Sequence, residues 1–276
     1  MFTAPGEIAA LISYPVKGCA GVATSGSTLT PAGLEHDRAF MVVDLDGTYR
    51  TQRKHPRLAL VQPHVDGDLL SLSAPGIEPV AVAVNRTGAR RPVDLFGAPF
   101  LGIDQGDIAA EWLSELLGAR SRLVRVPPEH DRVTDGATPG TSGYADSCPV
   151  HLISTASLEL LNERLTENGA VPLPMNRFRP NIVISGWEEP HVEDLARTIS
   201  IGEAVLGYAK LAIRCAVTTI DQADGRRAGP EPLRTLAQYR RADDGIAFGT
   251  KFAVLQPGRL SVGDKVVVDA WGEAEI

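Results

Sequence analysis

The sequence is poor in cysteine. Its 276 residues include only three, Cys19, Cys148 and Cys215, and an odd, widely spaced set does not build a disulfide framework. No two of them have the C-x-x-C spacing of a structural zinc site, and we expect no iron–sulfur cluster in this chain. Scattered free thiols are typical of a reducing compartment, so we expect a cytoplasmic protein.

The chain also lacks long apolar runs and an excess of basic residues. The apolar stretch near the amino terminus is too short to span a bilayer and has no basic flank, so we expect neither a secretory signal nor a membrane anchor. A net charge of −7 argues against a nucleic-acid partner, because phosphate binding along a backbone needs a basic stripe. It leaves room for a small basic pocket that binds one anionic ligand.

Several familiar catalytic motifs are missing. The sequence has no G-x-x-x-x-G-K-[ST], no G-x-G-x-x-G before a helix, no H-E-x-x-H and no nucleophile elbow. Its six histidines show no metal-ligand spacing. These absences argue against a nucleotide hydrolase, a Rossmann dehydrogenase and a zinc hydrolase.

What is present is a series of short β-type runs separated by glycine-rich turns, such as the hairpin signal Asp46-Gly47. Apolar periodicity predicts three helices, over 107–117, over 155–168 and after Pro232. The polar segment 127–143 has no apolar period and is interpreted as a long loop or domain connection. We therefore predict a mainly β fold with a few helices (α+β), organised as two β-barrel-like units over 1–122 and 123–272.

Cys215 is the candidate with the clearest chemistry. It follows Arg214 inside a β-type run over 212–221, and a neighbouring cation favours the thiolate, the form that attacks or binds metals. The alternative interpretation is a small buried hydrophobic residue.

Cations also stand next to turn-forming residues in three other places. Lys17 follows the first predicted strand, Arg179 precedes a later one, and Arg38 lies in a polar turn. Lysine on a glycine loop and arginine at the mouth of a strand bind phosphate well, as a point charge and as a bidentate fork. Each could equally be a solvated surface charge.

Six stretches follow one another in a fixed order over nearly the whole chain: SYPVK (13–17), HDR (36–38), LISTASL (152–158), FRPNIVI (178–184), RCAVTTID (214–221) and LSVGD (260–264). Together they resemble the MOSC family with its N-terminal β-barrel companion domain. The most similar subgroup is the mitochondrial amidoxime reducing component with its bacterial YcbX-like relatives. The resemblance implies an N-terminal MOSC-associated barrel followed by a MOSC barrel.

The resemblance implies a molybdenum cofactor (molybdopterin), because in this family the cysteine matching Cys215 is the protein ligand of the metal. Asp221, in the same motif, is assigned to catalysis together with Cys215, where it would orient the loop or contact solvent beside the metal. A single soft thiolate is a suitable protein ligand when the pterin supplies the other sulfurs. The positions that match or adjoin cofactor-binding positions are Lys17, Arg38, Arg179 and Arg214.

Other matching positions have an ordinary structural alternative. Ser154 and Thr155 begin a helix, where hydroxyls and free N–H groups can bind phosphate or simply cap the helix. Asn181 would bind the pterin or hold its own loop. Gly18 stands where relatives often carry a serine, so this cofactor contact is made by the backbone or is lost. Gln222 replaces a proline that is common in relatives.

The activity implied is the two-electron reduction of small N-hydroxylated or N-oxide-type substrates with release of water. Electrons would come from a separate ferredoxin-, flavin- or cytochrome b5-type protein. At the level of the family alone, the resemblance also implies pyridoxal phosphate binding. The alternative function is a molybdenum-cofactor carrier or a sulfur-transfer protein with a persulfide on Cys215, and a third possibility is a fold that has lost its cofactor.

Overall fold

The computed structural model describes residues 5–276; the first four residues of the amino-terminal stretch considered above lie outside the described residues. The elements follow in this order: β1 (Gly6–Ser13), β2 (Val22–Thr24), β3 (Gly26–Thr30), β4 (Gly33–Leu34), β5 (Phe40–Val43), β6 (Gln62–Asp66), β7 (Leu69–Ala74), β8 (Ile77–Ala83), β9 (Arg90–Leu95), β10 (Ala98–Asp104), α1 (Asp107–Leu117), β11 (Arg122–Arg125), β12 (Val133–Thr134), β13 (Gly140–Thr141), β14 (Val150–Ser154), α2 (Thr155–Glu167), β15 (Ile182–Ser185), β16 (Ala196–Ile201), β17 (Ala204–Ile213), α3 (Leu233–Leu236), β18 (Arg241–Ala242), β19 (Gly245–Gln256), β20 (Gly258–Ser261) and β21 (Lys265–Trp271). Single 3₁₀ turns occupy Pro56–Leu60, Met175–Arg177, Val192–Asp194 and Ala216–Thr219.

The main architectural feature is a closed seven-strand barrel, which confirms the prediction of a mainly β fold that contains a barrel. Its strands run in the order β14-β15-β1-β21-β16-β17-β19, and β19 pairs back with β14. Only β14 and β15 are parallel among these neighbours. The barrel interior is filled by aliphatic side chains, among them Leu11, Leu152 and Leu206, which are fully buried. Closure leaves the barrel without a free edge between these seven strands.

The amino-terminal strand belongs to this barrel. In β1, Leu11 pairs with Ile182 of β15 and Glu7 pairs with Lys265 of β21. The next hairpin also pairs with the carboxy-terminal half, because β3 and β20 form a ladder. The two halves of the sequence therefore share strands, and the domain boundary at residue 122 stays a prediction.

A second β unit lies beside the barrel. It contains the sheet β5-β11-β10-β9 and the meander β6-β7-β8. Helix α1 covers its core through the buried Trp112 and Leu116. It ends at Leu117 and is followed by Gly118, whose φ of 62° is the left-handed cap expected of glycine. Ile108, which the four-residue spacing places on the same apolar stripe, is instead exposed, because it lies in the first turn beyond the edge of the core.

Two sequence-based assignments are wrong in detail. The run around Cys215 is not a continuous strand, because β17 ends at Ile213 and a 3₁₀ turn begins at Ala216. The predicted helix after Pro232 is a single turn, Leu233–Leu236. The segment 127–143 is mostly irregular, as predicted for a loop; its short β12–β13 pair contacts β19, and Ala137 donates a backbone hydrogen bond to Ala209 of β17 (2.8 Å).

Candidate functional site

A cleft opens between the barrel and the second β unit. It encloses about 930 Å³ of space free of protein atoms, including its open mouth. Turns that end or precede strands supply most of its wall: the turn after β1, the segment 49–53, the segment 145–148 before β14, the turn before β15 and the turn after β17. Chain segments distant in sequence therefore meet at one concave site, as is typical of ligand pockets.

Cys215 lies on the wall of this cleft at the end of β17. Its carbonyl accepts hydrogen bonds from the backbone N–H of Thr218 (3.0 Å) and from its hydroxyl (2.9 Å), which hold the turn that follows. The thiol is free and partly exposed, whereas Cys19 and Cys148 are buried. Burial raises the pKa of the Cys19 thiol to about 12, so this residue stays protonated.

The cleft is strongly cationic although the chain carries a net charge of −7. One acidic residue, Asp146, lines it against seven basic ones: Lys17, Arg38, Arg50, Arg53, Arg179, Arg214 and Lys251. Such a concentration of one sign in a concave site attracts and holds an anion. The small basic pocket allowed by the composition is therefore present.

Arg38 and Arg179 are held in an unusual backbone conformation. Their φ angles are 47° and 57°, in the left-handed region that is unfavourable for residues other than glycine. Hydrogen bonds fix the backbone of Arg38, which donates to Tyr14 O (2.7 Å) and accepts from Tyr144 N (2.8 Å). Both guanidinium groups lie 4.2 Å from the centre of the Tyr14 ring, and burial lowers the pKa of Arg179. The strained backbone conformations of these two residues thus place both cations in one site.

Asn181 connects the barrel with the segment before β5. Its side-chain amide donates to Asp37 Oδ1 (2.9 Å) and Ile12 O (3.1 Å), while its carbonyl oxygen accepts from Arg38 Nη1 (3.1 Å) and His151 N (3.2 Å). All four hydrogen bonds are made within the protein. Asn181 lines the cleft and positions Arg38 there.

Lys17 forms the opposite wall. Its ammonium pairs with Asp146 and lies 4.8 Å from the centre of the Phe96 ring. Burial lowers the pKa of Lys17, and the attraction of Asp146 opposes this shift. Gly18, which follows it, has a φ of 80° and its carbonyl accepts a hydrogen bond from Gln52 Nε2 (2.7 Å). A serine at this position would be strained.

His151 and Lys251 reach the cleft from the interiors of β14 and β19, and sequence reasoning missed both. Burial lowers the pKa of His151 well below its usual range, and the neighbouring cations Arg214 and Lys251 lower it further, so the imidazole is neutral. Burial also lowers the pKa of Lys251 to about 8; its ammonium donates to Ser147 Oγ (2.5 Å). The scarcity of lysine, five residues in the whole chain, was the signal that could have drawn attention to Lys251.

Three predicted site residues do not line the cleft. Ser154 is fully buried and caps α2 by accepting from Ser157 N (3.2 Å), and its own N–H donates to the buried carboxylate of Glu193 (3.1 Å). This internal carboxylate occupies the helix start where Thr155 was expected to help bind phosphate. Asp221 points to Arg177 Nη2 (2.9 Å) instead of the cleft.

The remaining predicted residues meet in one place: Lys17, Gly18, Arg38, Arg179, Asn181, Arg214 and Cys215. Gln222 lies behind them, where its side-chain amide exchanges hydrogen bonds with that of Gln52 (both 3.1 Å) and accepts from Arg179 Nη1 (3.5 Å). Within residues 5–276, no three His, Cys, Asp or Glu side chains gather closely enough to hold a metal ion by themselves. Over the same range, no helix is long and apolar enough to cross a membrane.

The chain is similar in sequence to known proteins over nearly its whole length. Residues 5–120 match the model of the MOSC N-terminal beta barrel domain, and residues 139–267 match that of the MOSC domain. Mitochondrial amidoxime reducing component 2 of Rattus norvegicus is 36% identical over 95% of this chain and 82% of its own length. Mitochondrial amidoxime-reducing component 1 of Homo sapiens is 33% identical over the same shares. A solved structure, the YUAD protein from Bacillus subtilis, covers 95% of this chain and 94% of its own at 12% identity, and its TM-score of 0.45 supports no further conclusion.

Proposed function

Because the chain belongs to the MOSC family of the amidoxime reducing components, we propose that it is a molybdenum-cofactor oxidoreductase that reduces small N-hydroxylated or N-oxide-type compounds. The observation that carries the proposal is the partly exposed Cys215 thiol in a cleft lined by seven basic residues. A soft sulfur ligand and an anion-binding wall are the two features that a phosphate-bearing metal dithiolene requires of a protein.

The residues present fit such a group. The Nε atom of Arg214 is buried beside Cys215 and has no hydrogen-bond partner, although buried donors are normally paired. Burial lowers the pKa of Arg214 to about 10, which still leaves it charged at neutral pH. A bound anionic ligand would satisfy both the charge and the unpaired donor.

In this proposal Cys215 is the protein ligand of molybdenum, and the cofactor's phosphate is held by Arg38, Arg179 and Lys17. When bound, the cofactor would supply the two-electron redox and oxygen-transfer chemistry. The backbone of Gly18 and the carboxamide network of Asn181 fix the positions of these cations. The roles of Ser154, Thr155 and Asp221 are then structural, since they cap a helix or pair with Arg177 outside the cleft.

The net reaction breaks the N–O bond of the substrate and consumes two electrons and two protons, releasing one water. Electrons come from a separate carrier protein. Lys251 is suited to deliver a proton, because its ammonium lies in the cleft wall and its pKa is about 8, close to the working pH at which a general acid is most effective. Neutral His151 accepts from Arg214 Nη1 (3.5 Å) and keeps that guanidinium oriented.

The test is metal and turnover analysis of protein made in a host that synthesises the cofactor. We expect one molybdenum per chain and reduction of an amidoxime by reduced methyl viologen. Cys215→Ser should lose both metal and turnover. Cys148→Ala, a second cysteine on the cleft wall, is the matched control and should retain them.

Other results would support the alternatives. Bound cofactor without turnover indicates a carrier, and a persulfide on Cys215 without molybdenum, detected by mass spectrometry, indicates sulfur transfer. Retention of metal and turnover by Cys215→Ser contradicts the proposal, and protein that never binds cofactor indicates a fold that has lost it. The cytoplasmic location and the family-level binding of pyridoxal phosphate stay predictions.

A further inference from the structure

Two exposed loops meet beside the mouth of the cleft. One is the segment 51–60, and the other is the turn 220–228 that follows the Cys215 motif. They are in direct contact: Arg227 Nη2 donates to Arg53 O (3.1 Å), and a Cβ added at Gly225 would lie 3.2 Å from Pro56 O. Arg53 also lines the cleft, so the loops form a continuous border of its opening.

This border, which we call the basic rim, carries five exposed basic residues: Arg53, Lys54, Arg57, Arg226 and Arg227. Within the described part of the chain, none of the five forms an ion pair with a carboxylate within 4.0 Å. The nearest acidic residues in the same loops are engaged elsewhere, since Asp224 accepts from the backbone of Arg226 and Asp221 pairs with Arg177.

Within the described residues, three other exposed arginines, Arg120, Arg241 and Arg259, also form no ion pair, but each lies in a different part of the fold. Several other surface cations are paired. Arg86 pairs with Asp68, Arg90 with Glu129, and Lys265 with Glu7. Unpaired like charges that stand together repel one another and so oppose folding. A concentration of them at one place, on a chain with a net charge of −7, is a surface complementary to an acidic partner.

We propose that the basic rim docks an acidic electron-carrier protein and places its redox group at the mouth of the cleft. The inference rests on the proposed function, which requires electrons from outside the chain. Charge complementarity of this kind mainly raises the association rate and fixes orientation, and salt weakens it. Arg53 of the rim and Cys215 line the same cleft, so a carrier bound to the rim lies beside the opening that leads to Cys215.

The experiment compares the double variant Arg57→Glu/Arg226→Glu with the matched control Arg241→Glu/Arg259→Glu, which makes the same charge change on β18 and β20. The substituted rim residues do not line the cleft. Amidoxime reduction is measured with a reduced acidic [2Fe–2S] ferredoxin and with reduced methyl viologen, over a range of KCl concentrations. Binding of the ferredoxin is measured in parallel without substrate.

We expect the rim variant to lose at least tenfold in kcat/KM for ferredoxin at low salt and to become nearly independent of salt. Turnover with methyl viologen should change less than twofold, and the control should change less than threefold with either donor. Equal loss with both donors, equal loss in the control, or unchanged ferredoxin kinetics would overturn the proposal.

Direct binding separates this inference from the proposed function. If wild-type protein shows no turnover with any donor, the proposed function fails. The docking surface is then tested by binding alone, and it is supported if the rim variant binds ferredoxin at least tenfold more weakly than the control. Equal binding by both variants contradicts it. Tight rim-dependent binding to phosphatidylserine vesicles or single-stranded DNA with no binding to the ferredoxin also contradicts it.

Discussion

Replacing Lys251 by methionine should stabilise the protein while impairing turnover. The pKa of Lys251 falls from 10.5 to about 8 on folding, which corresponds to about 3 kcal/mol of unfavourable free energy for the charged form at about 1.4 kcal/mol per unit. Because this position is half-buried, solvent screening reduces the stabilisation expected on removing the charge to roughly 1–3 kcal/mol. Methionine keeps the side-chain length without the charge, so we expect the Tm to rise by about 2–8 °C at pH 7.

The sign of the pH dependence makes this prediction specific. Between pH 8 and 10.5 the unfolded chain keeps the Lys251 proton and the folded protein does not. The free energy of unfolding of wild type therefore rises with pH in this range, relative to that of the variant. The difference in free energy of unfolding between Lys251→Met and wild type should therefore be largest below pH 8 and shrink steadily toward pH 10.5. Thermal or urea unfolding at a series of pH values measures it.

Lys210→Met is the control, because Lys210 lies on the neighbouring strand β17 but pairs with Asp135 (2.7 Å) outside the cleft. We expect this control to leave turnover unchanged and stability unchanged or slightly lower. With Lys251→Met, amidoxime turnover per bound molybdenum should fall at least tenfold. A Lys251→Met protein that is less stable than wild type at pH 7, or a stability difference that does not vary with pH, would refute the reasoning.

Three further outcomes follow from the contacts described. Asn181→Ala removes the four hydrogen bonds of a buried side chain and should lower the free energy of unfolding by about 3 kcal/mol. In urea unfolding, Asn181→Asp should cost less than Asn181→Ala only at acidic pH. Gly249→Ala should cost about 2 kcal/mol, because φ is 78° and the new methyl would lie 2.7 Å from His151 Nε2; equal stability would contradict this. Asp221→Asn should lose about 1 kcal/mol with its Arg177 ion pair but keep turnover per bound metal within twofold, and a larger loss of turnover would restore the catalytic role predicted for Asp221.

The sequence was most informative where a functional side chain stands in a turn. Local signals drew attention to four such residues: Lys17 precedes a glycine, Arg179 precedes a proline, Arg38 lies in a polar turn and Cys215 follows an arginine. The turns then meet in one cleft, because strands distant in sequence are neighbours in the barrel.

Residues inside strands could not be recognised in the same way. Lys251 lies in the middle of β19, where the flanking side chains give no local hint that position 251 faces a cleft. Ser154 shows the opposite error, since it was predicted to lie in the site and does not. A hydroxyl at a helix start can bind phosphate or cap the helix equally well. Only the three-dimensional structure reveals that Glu193 already occupies that helix start. Charge, burial and register across the barrel decide such cases, and none of these is a local property.

The pairing of β1 with β21 joins segments that lie far apart in the sequence, with Glu7 and Lys265 separated by 258 positions. On the ribosome, the barrel therefore cannot close until β21 has emerged, and β1, which can already pair with β2 and β15, lacks its β21 partner until then. Such non-local closure slows folding and prolongs the exposure of unpaired strand edges. We expect nascent chains stalled before β21 to depend on chaperones, and cofactor insertion to be a late event in the maturation of the protein.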